Sequence, residues 1–227
     1  MNLRRADTRG ACLAFALVAL LSARAGAQTQ CQAPPHAAPA LAATDGRARL
    51  EWIDQHLARE AHRMSWWNYG WALGIGASGL GTLVAVPFVA PENRVDYYTG
   101  AVMAGAGVIP FLVAPPNVIH DSRQLHGLLQ TFPPKTDDQV CALLSDAESR
   151  LVRDARNEHL LSGWWSHAAN VAINAAGFLF LGFGYHHWLS GALNGGIGFV
   201  IGEAVIFTQP RGSMDALARY QLGDLGP

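Results

Sequence analysis

The chain has 227 residues, of which 50% are apolar and 15% are charged, and it contains 24 glycines and 3 cysteines. This composition excludes a disordered tail, a disulfide-rich knot and a coiled coil. The formal net charge is -1 and the sequence has no run of lysine or arginine, so it lacks the basic surface that a nucleic-acid-binding protein needs. We therefore expect no nucleic-acid partner.

The first 27 residues have the three parts of a secretory signal peptide. Arg4 and Arg5 precede an apolar run of about 13 residues, which is too short to cross a bilayer comfortably. Ala25, Gly26 and Ala27 then form a small-residue cleavage site. This pattern predicts Sec-type export to a bacterial-type inner membrane, with a mature chain that begins at Gln28.

Removal of the leader leaves two cysteines, Cys31 and Cys141. In an oxidising compartment such a pair tends to form a disulfide. The alternative is two unpaired buried thiols. Their spacing indicates neither a metal site nor a redox CxxC motif.

Four apolar segments follow a Pro/Ala-rich spacer (residues 28–43) that we expect to lack regular structure. They span residues 66–89, 97–116, 164–185 and 188–209, and about 20 helical residues suffice to cross the hydrocarbon core. Tryptophan pairs begin the first and third segments, as expected at a membrane interface. The sequence therefore predicts an all-α membrane protein with four transmembrane helices, the alternative being buried hairpins of a soluble or outer-membrane assembly.

The two halves of the chain resemble each other. Trp66 and Trp67 match Trp164 and Trp165, and the Gly-rich stretch 100–107 matches 191–198. Both halves continue to a proline, Pro116 or Pro210, and then to an aspartate five positions later. This similarity predicts an internal duplication of a helical hairpin, with repeat 1 at 44–129 and repeat 2, which ends in a C-terminal helix, at 130–227.

Each predicted hairpin is preceded by an amphipathic helix, capped by Thr44 or Asp45 in the first repeat and by Asp137 or Asp138 in the second. The apolar stripes contain Leu50, Ile53, Leu57, Ala61 and Met64, and Val140, Leu144, Ala147, Leu151 and Ala155. We expect the charged residues on the opposite faces to be solvated; these are Arg47, Glu51, Arg59, Glu60, Glu148, Arg150, Arg153 and Asp154.

Two signals disagree about orientation. Most Arg and Lys residues of the mature chain lie in the amino-terminal helix, the central linker and the tail, which the positive-inside rule would place in the cytoplasm. The signal peptide places the same segments outside. We favour the signal peptide, because closely spaced hairpins can insert as units and nearby acidic residues nearly balance the arginines.

Glu203 is the only acidic residue in the fourth segment, and a carboxylate within a membrane span is normally paired, protonated or facing water. The third segment brings His167 to a similar depth, with Asn170 and Asn174 on successive turns of the same face. We interpret His167, Asn170, Asn174 and Glu203 as an interhelical polar clamp. The alternatives are a proton or ion pathway and a catalytic acid/base pair.

Small residues at four-residue spacing predict close helix packing in the membrane. Such rows are formed by Gly70, Gly74 and Ser78, by Ala101 and Gly105, by Ala168, Ala172 and Ala176, by Gly191 and Gly195, and by Gly198 and Gly202. His186 and His187, in the second hairpin turn, are expected at the surface or interface, and Asn117 or Asp121 is expected to cap the helix that follows the first hairpin.

The sequence has no HExxH, GxSxG, Walker A or CxxC motif, and its GxGxxG match at 74–79 lies inside a predicted span rather than after a strand. We therefore predict no catalytic residue, no metal site and no cofactor. The leading hypothesis is a non-enzymatic envelope membrane protein that contacts the lipid bilayer and packs with itself or an envelope partner through its Gly-rich helices. The alternatives are a small transporter or pore and an intramembrane enzyme or metal site.

Overall fold

The computed structural model describes residues 28–35 and 37–226, and no β-strand occurs in these ranges. The helices are α1 (Pro39–Ala42), α2 (Gly46–Ala85), α3 (Arg94–Val113), α4 (Asn117–Thr131), α5 (Asp137–Leu161), α6 (Trp164–Tyr185), α7 (Trp188–Thr208) and α8 (Gly212–Leu222). Two 3₁₀ turns, Val86–Phe88 and Pro91–Asn93, connect α2 to α3. The all-α prediction is confirmed for this part of the chain, and the predicted signal peptide lies outside the described residues.

Four helical stretches are long and apolar enough to cross a membrane: Gly46–Phe88, Pro91–Thr131, Trp164–Tyr185 and Trp188–Leu222. Each covers most or all of one predicted span, so the prediction is confirmed in that four helices have the length and composition needed to cross a membrane. Helix α2 packs against α3, and α6 packs against α7. Both pairs are antiparallel; in the first, Asn68 bonds to Phe111 while Gly79 lies against Ala104.

Helix α2 continues without a break from its amphipathic part into its apolar part, although the sequence analysis placed these in separate elements. No proline interrupts α2 before Pro87. A glycine inside a helix, such as Gly70, costs only about 1 kcal/mol relative to alanine and does not end the helix. The equivalent junction in the second half does break, because α5 ends at Leu161 and Gly163 precedes the first residue of α6. The two halves therefore differ at this position.

The helix caps agree with the sequence analysis only in part. The carboxylate of Asp45 accepts from Arg47 N and Ala48 N and so caps α2. Helix α5 is capped by Thr136 in a capping box with Gln139, rather than by Asp137 or Asp138. Helix α4 begins after Pro116 with no side-chain cap, so neither Asn117 nor Asp121 has the expected capping role.

The helices outside the membrane spans form one domain at one end of the spans, which we call the cap domain (residues 28–35, 37–64, 117–161 and 210–226). Its core contains the residues of the first predicted apolar stripe together with side chains from α1, α4, α5 and α8. These include Leu41, Ile53, Leu57, Met64, Ile119, Leu125, Leu144, Leu151 and Tyr220. The second predicted stripe is also buried. The amino-terminal half of α2 therefore packs into the hydrophobic core of the cap domain, as a helix of a globular domain does.

The Pro/Ala-rich spacer has more structure than the sequence analysis expected. Leu41 of α1 is fully buried, and Ala38 N donates to Gln221 O at 2.8 Å. The spacer contains few large apolar residues. It is held against the cap domain by the buried side chain of Leu41 and by the backbone hydrogen bond to α8.

A disulfide joins Cys31 to Cys141, as one of the two alternatives predicted. It ties the extended amino-terminal segment to α5 across a sequence separation of 110 residues. Closing so long a loop removes a large part of the freedom of the unfolded chain, on the order of 4–5 kcal/mol in the chain-entropy model.

Candidate functional site

A cluster of four polar side chains joins α6 to α7. His167 Nδ1 lies 2.7 Å from Glu203 Oε2, and Asn170 Nδ2 donates to Glu203 Oε1 at 2.9 Å. Asn174, one turn further along α6, donates to Asn170 Oδ1 at 2.8 Å. The structure thus brings together all four residues of the predicted polar clamp, and each carboxylate oxygen of Glu203 has a partner.

Glycines on α7 make room for this cluster. A Cβ at Gly202 would overlap the Asn170 side chain, and a Cβ at Gly198 would overlap that of Asn174. At Gly195 a Cβ would lie 3.0 Å from the Asn174 carbonyl oxygen. The two asparagines therefore lie directly against the α7 backbone, and Asn170 Nδ2 also donates to Phe199 O at 3.0 Å.

The predicted rows of small residues divide into two groups. Gly191, Gly195, Gly198 and Gly202 all face α6. Ala172 and Ala176 of α6 are exposed and do not form the expected seam; Asn174, Gly177 and Leu181 are buried there instead. Gly70, Gly74 and Gly105 are exposed, and a Cβ at any of them would meet no atom within 4 Å.

A cavity of about 380 Å³ lies between the two helical hairpins. All four membrane helices line it, with Ser78 and Thr82 from α2, Gly100 and Met103 from α3, Asn170 and Asn174 from α6 and Asn194 from α7 among its residues. The remaining lining is mostly apolar. A largely apolar cavity with a few convergent polar groups is the usual form of a small-molecule site.

A second histidine–carboxylate pair lies at the opposite end of α7. His187 Nδ1 lies 2.7 Å from Asp96 Oδ1, which connects the turn between α6 and α7 to the beginning of α3. The sequence analysis assigned His187 to the surface or interface and did not select Asp96. The side chain of His187 is 25% exposed and that of Asp96 is 10% exposed, because the hairpins pack together at this end. The available signal in the sequence was Asp96 itself, because an acidic residue next to an apolar segment needs a polar partner.

The cap domain contains buried carboxylates where the sequence analysis predicted a solvated face. Asp154 is 1% exposed, and neither of its carboxylate oxygens has a hydrogen-bond partner among the described residues. Burial raises the pKa of Asp154 to about 8, and the nearby Asp121 carboxylate adds to this effect. Helices α2, α4 and α8 pack around α5 and cover this face.

Glu158, one turn after Asp154, accepts from Ser213 N at 3.2 Å and Met214 N at 3.0 Å at the start of α8. Burial raises its pKa, although these two backbone bonds lower it. Glu60 is also buried, and its carboxylate lies against Gly212. Glu60 and Glu158 therefore lie where α2, α5 and α8 meet.

Glu148, Arg150 and Arg153, which were also predicted to lie on a solvated face, are paired with charged residues of other helices. Arg49, fully buried on α2, contacts both Glu148 of α5 and Tyr220 of α8, and Tyr220 donates to Glu148. Asp121 of α4 accepts from Arg150 Nη1 at 3.1 Å and from Arg153 Nη2 at 2.6 Å. These ion pairs hold the cap helices together, which is a structural role for residues expected to face water.

Among the described residues, no group of three His, Cys, Asp or Glu side chains is arranged to hold a metal ion. The chemistry available at the α6–α7 cluster is hydrogen bonding and proton exchange between imidazole and carboxylate. Comparison with protein-family models, with curated proteins and with solved structures found no match. The geometry of the described residues is therefore the basis for a functional proposal.

Proposed function

We propose that this chain is a non-enzymatic envelope membrane protein, a structural or interaction subunit that assembles with a second copy of itself. The observation that carries the proposal is an open glycine face on α2. Gly70, Gly74 and Gly81 fall on one side of the helix, and a Cβ at any of them would meet no atom within 4 Å. Ala77 falls on the same side and is exposed.

Lipid tails are as apolar as leucine, so membrane helices associate through close backbone approach and polar contacts. Within the chain, α6 and α7 already use glycines in this way. The α2 face offers the same surface, yet neither α3 nor the second hairpin covers it. A second chain is the occupant we propose for this face.

The predicted export signal and the disulfide support placing the cap domain outside the cytoplasm, in an oxidising compartment. This orientation puts the amino terminus, the central linker and the carboxyl terminus on one side. Reporter fusions after residues 91, 135 and 227 test it. Cytoplasmic activity of the fusion after residue 135 would contradict the proposal.

We also propose that the two hairpins arose by duplication of one module, each with a preceding amphipathic helix. The matching tryptophan pairs and Gly-rich stretches support this, as does the antiparallel pairing of both hairpins. The break at Gly163, which α2 lacks, would be a later difference between the copies.

Cysteine cross-linking tests the self-association. Cys31 and Cys141 are joined to each other, so a cysteine introduced at Gly74 supplies a reactive thiol. Mild oxidation of Gly74→Cys in native membranes should give a covalent dimer. Val200→Cys, on an exposed apolar face of α7, is the matched control and should give little dimer.

Equal cross-linking at both positions, or none at Gly74→Cys, would contradict this interface. So would a mass in nanodiscs that corresponds to one chain at every protein concentration. The two measurements are independent, because the mass does not require the introduced thiol.

A small transporter or pore is a second candidate, and the cavity between the hairpins favours it. Three asparagines line this cavity, and Asn170 connects it to Glu203. Ion or proton flux in proteoliposomes should then fall strongly in Glu203→Gln. Flux that this substitution leaves unchanged would remove the candidate.

A further inference from the structure

The cavity between the hairpins has five polar side chains in its lining, and their hydrogen bonds determine what it can bind. They are Ser78, Thr82, Asn170, Asn174 and Asn194. An asparagine amide carries two N–H donors and one acceptor oxygen, and a hydroxyl carries one donor and two lone pairs. The groups that are already bonded within the protein can therefore be separated from those that remain free.

The amide donors of the two α6 asparagines are fully used. Asn170 Nδ2 donates to Phe199 O at 3.0 Å and to Glu203 Oε1 at 2.9 Å. Asn174 Nδ2 donates to both Asn170 O and Asn170 Oδ1, each at 2.8 Å. The side-chain oxygen of Asn174 lies against the backbone of Gly198; it receives no side-chain donor from this network and keeps its lone pairs as an acceptor.

The other three side chains also donate to acceptors within the protein and keep their oxygens as acceptors. Ser78 Oγ donates to Ile75 O at 2.8 Å, and Thr82 Oγ1 donates to Gly79 O at 2.7 Å. Asn194 Nδ2 donates to Ser190 O at 3.0 Å, which leaves one amide hydrogen and the amide oxygen. The cavity thus offers four acceptor groups (Ser78, Thr82, Asn174 and Asn194) against a single free donor.

The charges around the cavity favour a cation. None of its lining residues is lysine or arginine. The carboxylates of Glu203 and Asp96 lie just beyond the lining, since Glu203 bonds to Asn170 and Asp96 lies one turn before Gly100. Each carboxylate also contacts a histidine, His167 or His187. Acceptor dipoles and carboxylates in a medium of low dielectric attract positive charge and repel anions.

We propose that this cavity binds a primary alkylammonium ion. Its N–H groups would donate to the oxygens of Ser78, Thr82, Asn174 and Asn194, and its apolar body would contact Met103 and the isoleucines of the lining. The volume of about 380 Å³ is within the usual range for a small-molecule site. The cavity lies within one chain, so ligand binding there does not depend on the self-association proposed above.

Binding of hexylammonium to the full chain in nanodiscs, measured by isothermal titration calorimetry against protein-free nanodiscs, tests this proposal. Two probes of similar length serve as comparisons. Hexyltrimethylammonium keeps the charge but has no N–H donor, and hexanoate reverses the charge. We expect hexylammonium to bind at least about tenfold more tightly than either.

Two substitutions test the location. Asn194→Leu and Thr82→Val keep the approximate side-chain volume but remove an acceptor, and each should weaken hexylammonium binding by about threefold to tenfold. Leu193→Val, next to Asn194 but outside the cavity lining and exposed, is the matched control and should bind as the unmodified chain does. If Asn194→Leu fails to fold, Thr82→Val gives the answer.

Equal binding of hexanoate or hexyltrimethylammonium would overturn the proposal, because neither N–H donation nor charge would then select the ligand. Unchanged hexylammonium binding in a folded variant would overturn the location. A chain that is a dimer yet shows no hexylammonium binding would refute this inference while leaving the proposed self-association intact.

Discussion

His187 and Asp96 connect the two hairpins: the Nδ1 atom of His187, in the turn between α6 and α7, lies 2.7 Å from Oδ1 of Asp96 near the start of α3. The contacts between the hairpins are otherwise sparse, since α3 touches α6 and α7 far less than each helix touches its own hairpin partner. The other polar contacts across this junction include the bonds from Trp67 Nε1 and Trp71 Nε1 of α2 to Thr208 Oγ1 of α7, at 3.2 and 3.1 Å. The His187–Asp96 pair is thus one of a small number of polar contacts that join the hairpins.

We expect His187→Ala to weaken that junction, because it leaves the Asp96 carboxylate largely buried without its partner. Loss of a partner for such a group costs on the order of 1–3 kcal/mol. Thermal unfolding in detergent should show the loss. The neighbouring His186→Asn is the control, because His186 is exposed and its φ of 59° suits asparagine. Equal destabilisation by both substitutions would argue against the pair.

The glycines under the α6 asparagines give a second prediction. Gly198→Ala places a Cβ where the Asn174 side chain lies, so it should displace that side chain and destabilise the protein by about 1–3 kcal/mol. Gly196→Ala on the same helix meets no atom within 4 Å and should be neutral or slightly stabilising. Chemical or thermal unfolding of the two variants side by side measures the difference. A harmless Gly198→Ala would mean that Asn174 does not lie on the α7 backbone.

The raised pKa of Asp154 predicts that the cap domain loses stability as the pH rises. Its pKa is about 8 in the folded chain and 3.8 for the ordinary side chain, so the folded state keeps a proton that the unfolded state releases between these values. The unfolded state gains from this release, and stability falls from about pH 4 towards pH 8. Asp154→Asn should therefore raise the melting temperature at pH 8, and the gain should shrink as the pH is lowered towards 4.

The control for this experiment is Asp146→Asn on the same helix, since the Asp146 side chain is 45% exposed. It should not reproduce the pH-dependent gain. A melting curve of Asp154→Asn with the same pH dependence as the unmodified chain would show that Asp154 does not titrate in this range.

The disulfide gives a fourth prediction. Replacing both cysteines, as in Cys31→Ala with Cys141→Ala, should lower the free energy of unfolding of the cap domain by roughly 2–5 kcal/mol. Thermal unfolding in the presence and absence of reductant measures this. Reductant should shift the melting temperature of the unmodified chain and leave that of the double variant unchanged. A shift of equal size in both would assign the effect of the reductant to something other than this bond.

Hydropathy was sufficient to predict the four membrane helices, because some 20 consecutive apolar residues have few other stable environments. The depth of His167 and Glu203 also followed from helix geometry, since each residue could be counted from its own end of a span. The structure places their side chains 2.7 Å apart.

The sequence could not predict contacts that depend on how separate elements pack. The Asp96–His187 pair requires the relative position of two hairpins, which no local pattern encodes. The burial of Asp154 and Glu60 depends on α8 and α4 covering charged faces that, on an isolated helix, would face water. The spacer was assigned no structure for a similar reason, because Leu41 is buried by residues distant in sequence.

Helix α2 has 40 residues, so it is a rod of about 60 Å that belongs to both the cap domain and the first hairpin. Any tilt of the cap is transmitted rigidly along this rod to the first hairpin. The second hairpin is joined to the cap domain through non-helical residues at both ends, Ser162 and Gly163 before α6 and residues 209–211 after α7. A tilt of the cap domain would therefore displace the first hairpin more directly than the second, and would change the width of the space between them.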